Sequence, residues 1–453
     1  MTSVMLITQV FPPESAVGGH RPAGLCRHLA ALGWNATVLS VQPQAEAALD
    51  PCLLQRIPAS VRVVRAACPD LPAIASRIMD SISLRRRRDG SSPVAEGPVP
   101  ASPQAPGGWR KVIDWLSWWF QVPDLAVGWF VPGVWAGLWQ ARRCRPDVLF
   151  STGPAWTSHL IALTLSRLLR RPWVADFRDP WSANEFRKFP YPAHRKFNDW
   201  LESLAVRGAA GITCATDGIR RQLAARYPAK AQVMQTVLNG FDPEELDAAS
   251  PMQFGTDRCV LLHAGTFYGP RSPMPLFEGL RRLFVEHPAV AHRLHVVLLG
   301  EPTYAGRRLE DMARDLDLGQ VVRVLPRLPR GQAVAALKGA DVAILFGQGG
   351  DPQFRPVPAK VYEYIGLGKP ILAVGAGPES LDLIRRGGCR VWAVEDADPE
   401  GMAAALKEIV ETHAHGGLNV ATHGDMRLAF TRRRMAEALV SAMEQAMEDG
   451  RQR

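Results

Sequence analysis

The stretch Pro356-Val-Pro-Ala-Lys-Val-Tyr-Glu-Tyr-Ile-Gly-Leu-Gly-Lys-Pro370 decides how this chain is read. It follows an apolar run at 341–346 and precedes another at 371–374. Strand, loop, short helix and strand make a βαβ unit, and ligands of such sheets sit outside the carboxyl ends of the strands. Pro358 suits the first helical turn, where its missing N–H would be unpaired in any case. A helix start presents backbone N–H groups that favour a phosphate. Lys360, in that first turn, is disfavoured by the helix dipole unless an anion is bound nearby. Glu363 lies one turn further on, where its carboxylate can accept hydrogen bonds from ribose hydroxyls. The unit reads as a nucleotide-diphosphate pocket, with an ordinary capped βαβ unit as the alternative.

Outward from this unit, the same alternation fills the chain. In the first half, strands are expected at 3–7, 35–40, 147–150, 173–175, 210–215 and 233–237. A helix at 21–32 carries Leu25, Leu29 and Leu32 at helical spacing and ends at Gly33. In the second half, strands are expected at 259–262, 294–299, 321–325, 341–346, 371–374 and 390–394. The fold class is α/β, with two doubly wound Rossmann-like domains. The expected division is 1–243, 244–425 and a terminal helical segment 426–453, with the turn cluster 239–243 as the hinge. Residues 85–108 begin with four arginines and continue in Ser, Pro, Gly and Ala. That composition buries too little apolar surface to order itself and reads as a flexible excursion.

Bulk properties narrow the function. A chain of 453 residues is too long for one core, and 47% hydrophobic residues is a globular composition. The formal charge of +9 favours anionic partners. No nucleic-acid-binding motif is visible, so nucleic acid is not expected among them. The seven cysteines are far apart with no C-x-x-C pair, which points to a reduced, cytoplasmic compartment without structural zinc. The apolar run 4–7 reads as a first strand and not as a signal peptide. No run of 18 or more apolar residues is free of Pro or charge, so no spanning helix is expected.

Residues 109–139 hold seven of the 13 tryptophans, with Arg110 and Lys111 at one end and Arg142, Arg143 and Arg145 beyond the other. Trp favours membrane interfaces because one end is apolar and the other wet. Two readings are open. The segment dips into an anionic membrane surface at the inner face of the cell membrane, or its tryptophans belong to the first domain's core.

The string Pro358-Ala-Lys360-Val-Tyr-Glu363-Tyr-Ile-Gly-Leu-Gly368-Lys-Pro370 resembles the donor-site signature of retaining glycosyltransferases of family 4, which have the GT-B fold. The resemblance implies two Rossmann-like domains facing across a cleft and a terminal helix that returns to the first domain. It also implies a nucleotide-diphosphate sugar donor and no metal or other cofactor. Gly18 and Gly19, in the loop 11–19, match the family's first-strand loop, where glycines allow close approach of a phosphate or sugar. Asp176-Phe-Arg178-Asp179-Pro-Trp181 resembles a string of one branch, in which Arg178 stands where many members carry His. Arg178 binds anions or hydroxyls but is no base. Arg178 and Asp179 are therefore the candidate catalytic pair, with a loop-holding Arg–Asp pair as the alternative. In the loop 263–272, Thr266 stands where the family has Arg, and Arg271 lies close to the family's Lys. Arg271, Lys360 and Glu363 thus become the donor-binding candidates. The family's other glutamate falls on Arg355, unless Asp351 supplies that carboxylate.

The expected function is transfer of a sugar to a glycan or lipid-linked acceptor in surface-polysaccharide or glycolipid biosynthesis. A nucleotide-sugar 2-epimerase of the same fold, or a catalytically silent scaffold, are the alternatives.

Overall fold

The computed structural model describes residues 1–44, 47–71, 73–74, 115, 118–184, 187–347, 349, 356–418 and 424–451. The expected excursion at 85–108, Trp109, Asp351 and Arg355 lie outside these residues.

The first compact unit comprises Met1–Ala215, Ile219–Val237 and Ala436–Arg453. Its strands are β1 (Thr2–Ile7), β2 (Trp34–Val41), β3 (Arg62–Ala66), β4 (Val148–Gly153), β5 (Trp173–Phe177), β6 (Gly211–Cys214) and β7 (Met234–Thr236). They form one parallel sheet in the order β3-β2-β1-β4-β5-β6-β7. Leu6 of β1 pairs with Val38 on one side and Phe150 on the other. Helices cover both faces of such a sheet, so its central strands are apolar almost throughout. The strand order reverses between β1 and β4, and this switch point opens a crevice at the carboxyl ends.

The second unit comprises Thr216–Gly218 and Leu238–Met435. Its strands are β8 (Cys259–Ala264), β9 (Leu294–Gly300), a small hairpin of β10 (Thr303–Tyr304) and β11 (Arg307–Arg308), β12 (Val322–Pro326), β13 (Val342–Phe346), β14 (Ile371–Val374) and β15 (Val391–Val394). The parallel sheet runs β12-β9-β8-β13-β14-β15, with its switch point between β8 and β13. Alternate residues serve opposite layers, as the strand period of two requires. Leu261, Val296, Leu298 and Ile344 pack against Phe277, Leu280 and Leu406. Leu262, Val297, Ala343 and Leu345 pack against Val361, Tyr362 and Ile365. Each fully buried Leu, Ile or Val contributes about 1.5–3 kcal/mol relative to exposure.

The Lys360–Leu367 helix begins later than the sequence suggests. Ala359 is its N-cap, so Pro358 precedes the helix and does not occupy its first turn. Gly368 ends it in the left-handed conformation, φ 64°, which glycine adopts without a Cβ penalty. Lys369 then donates to the carbonyls of Lys338, at 2.8 Å, and Ala340, closing the end of the Arg330–Gly339 helix. The Gly368-Lys369-Pro370 end of the opening stretch is therefore structural.

The first passage of the first unit ends at Val237, six residues before the expected boundary, and the unit resumes at Ala436. Local pairing explains the difference. Phe241 N–H donates to the Phe430 carbonyl at 3.0 Å, and Arg432 N–H donates to the Phe241 carbonyl at 2.8 Å. Arg432 also pairs with Asp242 at 2.5 Å. The turn 239–243 is thereby held within the second unit. Among the described residues, no helix is long and apolar enough to cross a membrane.

Candidate functional site

The carboxyl edge of the second unit's sheet gathers three of the expected donor-binding residues. Arg271, buried in the loop after β8, donates to the Gly347 carbonyl beyond β13 at 3.4 Å. Its guanidinium lies 5.1 Å from the Tyr268 ring centroid. Lys360 enters from the first turn of the helix beyond β13 and lies over Gly265. A Cβ at Gly265 would stand 1.7 Å from Lys360 Nζ and 3.1 Å from His263 Nε2, so this position admits only glycine while Lys360 keeps its place. His263 is fully buried, and its Nδ1 lies 3.0 Å from the Ile344 carbonyl. A carbonyl only accepts, so Nδ1 carries the proton and Nε2 presents a lone pair toward Lys360.

Burial, followed by the charge of Arg271, pushes the Lys360 ammonium down to about 7; Glu363 opposes this. Burial and the charge of Lys360 hold His263 well below its ordinary value. Glu363 does not neutralise the pocket alone, because its Oε1 lies 2.6 Å from Arg330 Nη2. Arg330 in turn reaches Glu245 Oε1 through Nε at 2.7 Å. Burial alone would lower the Arg330 value, but the two carboxylates raise it. Two cationic side chains thus converge over a buried neutral histidine, and the nearby carboxylate is held from its other side. Such an arrangement suits an anion.

A pH dependence follows. An anion raises the Lys360 value on binding, so the complex holds more protons than the free protein above pH 7. Affinity for inorganic pyrophosphate is expected to fall by up to about tenfold per pH unit as pH rises above 7, with uptake of close to one proton. Calorimetry in buffers of different ionisation enthalpy between pH 7 and 9 checks this. A pH-independent affinity with no proton uptake contradicts it.

In the first unit, the Asp176–Trp181 string divides into separate roles. Asp176 is fully buried and accepts from Arg21 Nε at 2.9 Å and Arg21 Nη2 at 2.8 Å. The hydroxyls of Thr152 and Thr213 each donate to it at 2.7 Å. Arg21 also donates to the Val237 carbonyl at 2.8 Å. Burial alone would raise the Asp176 carboxyl, but Arg21 and the two threonine hydroxyls together hold it below its ordinary value. The cluster ties β4, β5 and β6 to the helix that follows β1. The Arg–Asp pair that holds this region is therefore Arg21 with Asp176.

Arg178 donates to three backbone carbonyls, those of Gly153 (3.1 Å), Gly18 and Pro154. It fastens the loop after β1 to the loop after β4. A Cβ at Gly18 would stand 3.4 Å from both terminal guanidinium nitrogens, an ordinary contact, so Arg178 does not by itself require glycine there. Gly19 N–H donates to the Ala16 carbonyl at 2.9 Å within a tight turn. Asp179 is half-buried; burial raises its carboxyl and Arg178 draws it back. Trp181 stacks on Trp156 at 5.0 Å and donates to Asn198 Oδ1 at 2.9 Å.

The tryptophans at 115–139 also divide. Trp129 is fully buried. Trp119 packs 4.4 Å from the His194 ring and 5.3 Å from Phe197. Trp135 and Trp139 are exposed. The core reading therefore holds for Trp129, while Trp135 and Trp139 stand outside the core.

One cluster bears on metal ligation. Donor atoms of Cys259, Asp341 and His413 lie within 4.8 Å of one another. They stand at the amino ends of β8 and β13, the opposite edge from Lys360. Asp341 Oδ2 there accepts the Val260 N–H at 2.8 Å and lies 3.7 Å from His413 Nε2. All seven cysteines are free thiols.

Comparison with known proteins agrees with this architecture. The glycosyl transferase 4-like domain matches residues 18–240. A D-inositol 3-phosphate glycosyltransferase of Kineococcus radiotolerans is 30% identical over 57% of this chain and 62% of its own length. The chain thus spans about three fifths of that relative. Among solved structures, sucrose-phosphate synthase of Thermosynechococcus elongatus superposes with a TM-score of 0.64 at 13% identity, covering 99% of this chain and 100% of its own. HepE of Anabaena, in complex with UDP, gives 0.62 at 13% identity, covering 98% and 100%. These two likenesses bear on the fold. Residues 18–240, just under half of the chain, are thus similar to the glycosyl transferase 4-like domain, and the two doubly wound sheets share the fold of solved GT-B glycosyltransferases.

Proposed function

We propose that this chain is a retaining glycosyltransferase that moves a sugar from a nucleotide diphosphate to a glycan or lipid-linked acceptor in surface-polysaccharide or glycolipid assembly. The observation that carries this reading is the convergence of Lys360 and Arg271 at the switch point of the second unit, with Glu363 held beside them by Arg330. Lys360 and Arg271 take the diphosphate, and Glu363 takes the ribose hydroxyls. As the bond between the sugar's anomeric carbon and the diphosphate oxygen breaks, its electron pair leaves with the diphosphate. The two cations stabilise that developing charge. The acceptor oxygen bonds to the anomeric carbon on the face the diphosphate leaves, and its proton goes to the departing phosphate. Arg178 and Asp179 remain candidates for shaping the loops of the first unit. HepE, in complex with UDP, supports a nucleotide donor. The name of the Kineococcus relative makes a phosphorylated polyol one acceptor to test. A peripheral position at the inner face of the membrane completes the reading.

Incubation with UDP-, GDP- and ADP-sugars tests it. Slow donor hydrolysis without acceptor, and transfer with one, are expected. Formation of a 2-epimer would assign the chain to the epimerases, and inert donors would make it a scaffold. Glu363→Ala is expected to weaken UDP binding at least about tenfold, since a hydrogen bond to a charged group contributes about 1.5–3 kcal/mol. Unchanged affinity by calorimetry removes Glu363 from the site.

A further inference from the structure

The Phe130–Cys144 helix is apolar on two faces. Its inner face is fixed by close packing. A Cβ at Gly133 would stand 2.6 Å from Ile161 Cδ1, and one at Gly137 would stand 2.5 Å from Leu165 Cδ1. The helix therefore cannot turn to bury its other side. That other side carries Val131, Trp135 and Trp139 at intervals of four, which places them on one stripe. Their exposures are 72%, 76% and 49%, and Leu125, in the turn before the helix, is 68% exposed.

The charged residues of this helix have one sign. The helix contains no acidic residue and ends in Arg142 and Arg143, both exposed, with Arg145 exposed just beyond. The Arg143 guanidinium lies 3.4 Å from the Trp139 ring centroid. The nearest acidic residue before the helix, Asp124, is engaged elsewhere. Its carboxylate accepts from Ala126 N–H at 3.0 Å and from Thr157 through N–H at 3.0 Å and hydroxyl at 2.8 Å. After the helix, Asp147 accepts the Ser3 N–H at 2.9 Å.

We infer that this outward face, Val131, Trp135 and Trp139 flanked by Arg142 and Arg143, docks the protein on an anionic lipid surface. Tryptophan suits the headgroup boundary, where the indole body is buried and its N–H stays wet. The arginines complement anionic headgroups. At 15 residues the helix is too short to span a bilayer, so it lies in the interface. The purely apolar stripe of a protein–protein contact does not require a basic end on a helix that has no acidic residue of its own. The inference rests on the proposed function only for its purpose, which is to bring a lipid-linked acceptor within reach.

The test is co-sedimentation with phosphatidylcholine vesicles containing phosphatidylglycerol, and with phosphatidylcholine alone, without donor or acceptor. Failure of binding and failure of transfer are then separate results. The wild type is expected to sediment with the anionic vesicles at low salt and to be released at high salt. Trp135→Ser/Trp139→Ser should lower the partition coefficient at least about tenfold. Arg142→Ser/Arg143→Ser should lower it by roughly fivefold per arginine, for anionic vesicles only. Circular dichroism monitors folding of both variants. Quenching of wild-type tryptophan emission by brominated lipid gives a reading that needs no variant, and quenching is expected. The inference is overturned if the wild type stays in the supernatant at low salt or if the folded tryptophan variant binds like the wild type. It is also overturned if the stripe proves to join two copies, seen as a dimer that the tryptophan variant abolishes without any vesicle binding by the wild type.

Discussion

Lys360→Ala is expected to lower kcat/KM for sugar transfer by about 10²–10³, the scale of removing one preorganised donor to a developing negative charge. The lysine lies over Gly265, where no larger residue leaves it room, and it shares its pocket with Arg271. Arg271→Ala should cost a similar factor, and the double variant less than the product, because both act on one diphosphate. Stability separates this effect from misfolding. Lys360 is held near 7 in the folded protein, well below its unfolded value of 10.5. A cation with a depressed value contributes stability above its unfolded value, and that stability is lost as pH falls toward the folded value. Below pH 7 the buried charge opposes folding, so Lys360→Ala should keep or raise the thermal midpoint there. Full transfer activity in both single variants would remove these residues from the donor site.

Asp176→Ala is expected to destabilise the protein by about 3–5 kcal/mol, because it leaves the buried Arg21 without its carboxylate. Thr152 and Thr213 lose their acceptor as well. Asp176→Asn keeps acceptor capacity and should cost less. The pH effect has the same sign as that of Lys360, although here the charged form is the stabilised one. Asp176 is held below its ordinary value, so its contribution is present above the unfolded value of 3.8 and is lost as pH falls through the folded one. Urea unfolding at pH 7 measures both variants. A loss under about 1 kcal/mol for Asp176→Ala would contradict the role of this cluster, since that is the range of an exposed ion pair.

What the sequence makes legible is set by how local the signal is. The alternation of apolar runs and helical spacing marks both sheets, because each strand is buried on two faces and writes itself as a short apolar run. Lys360 and Glu363 stand within one helical turn, so their shared edge is readable from spacing. Arg330 and Glu245 are not readable in this way. Their ion pair joins residues 85 positions apart, and only the folded chain shows that Glu363 is shared with them. Arg21 and Asp176 are 155 positions apart, and this hid which arginine of the first unit pairs with the string's first aspartate. Arg178 drew attention by its place in that string, but folding turns its donors to the carbonyls of Gly18, Gly153 and Pro154. The tryptophans mislead for a related reason. Composition alone treats Trp129 and Trp135 alike, whereas a helix that buries Gly133 and Gly137 places one inside and the other outside.

The most direct test of the central claim is calorimetric titration of the wild type and Lys360→Ala with a panel of UDP-, GDP- and ADP-sugars. The account predicts one-to-one binding of at least one nucleotide sugar by the wild type, lost or strongly weakened in Lys360→Ala while the variant remains folded. Binding of none of the panel by the folded wild type, or equal binding by the variant, would contradict it.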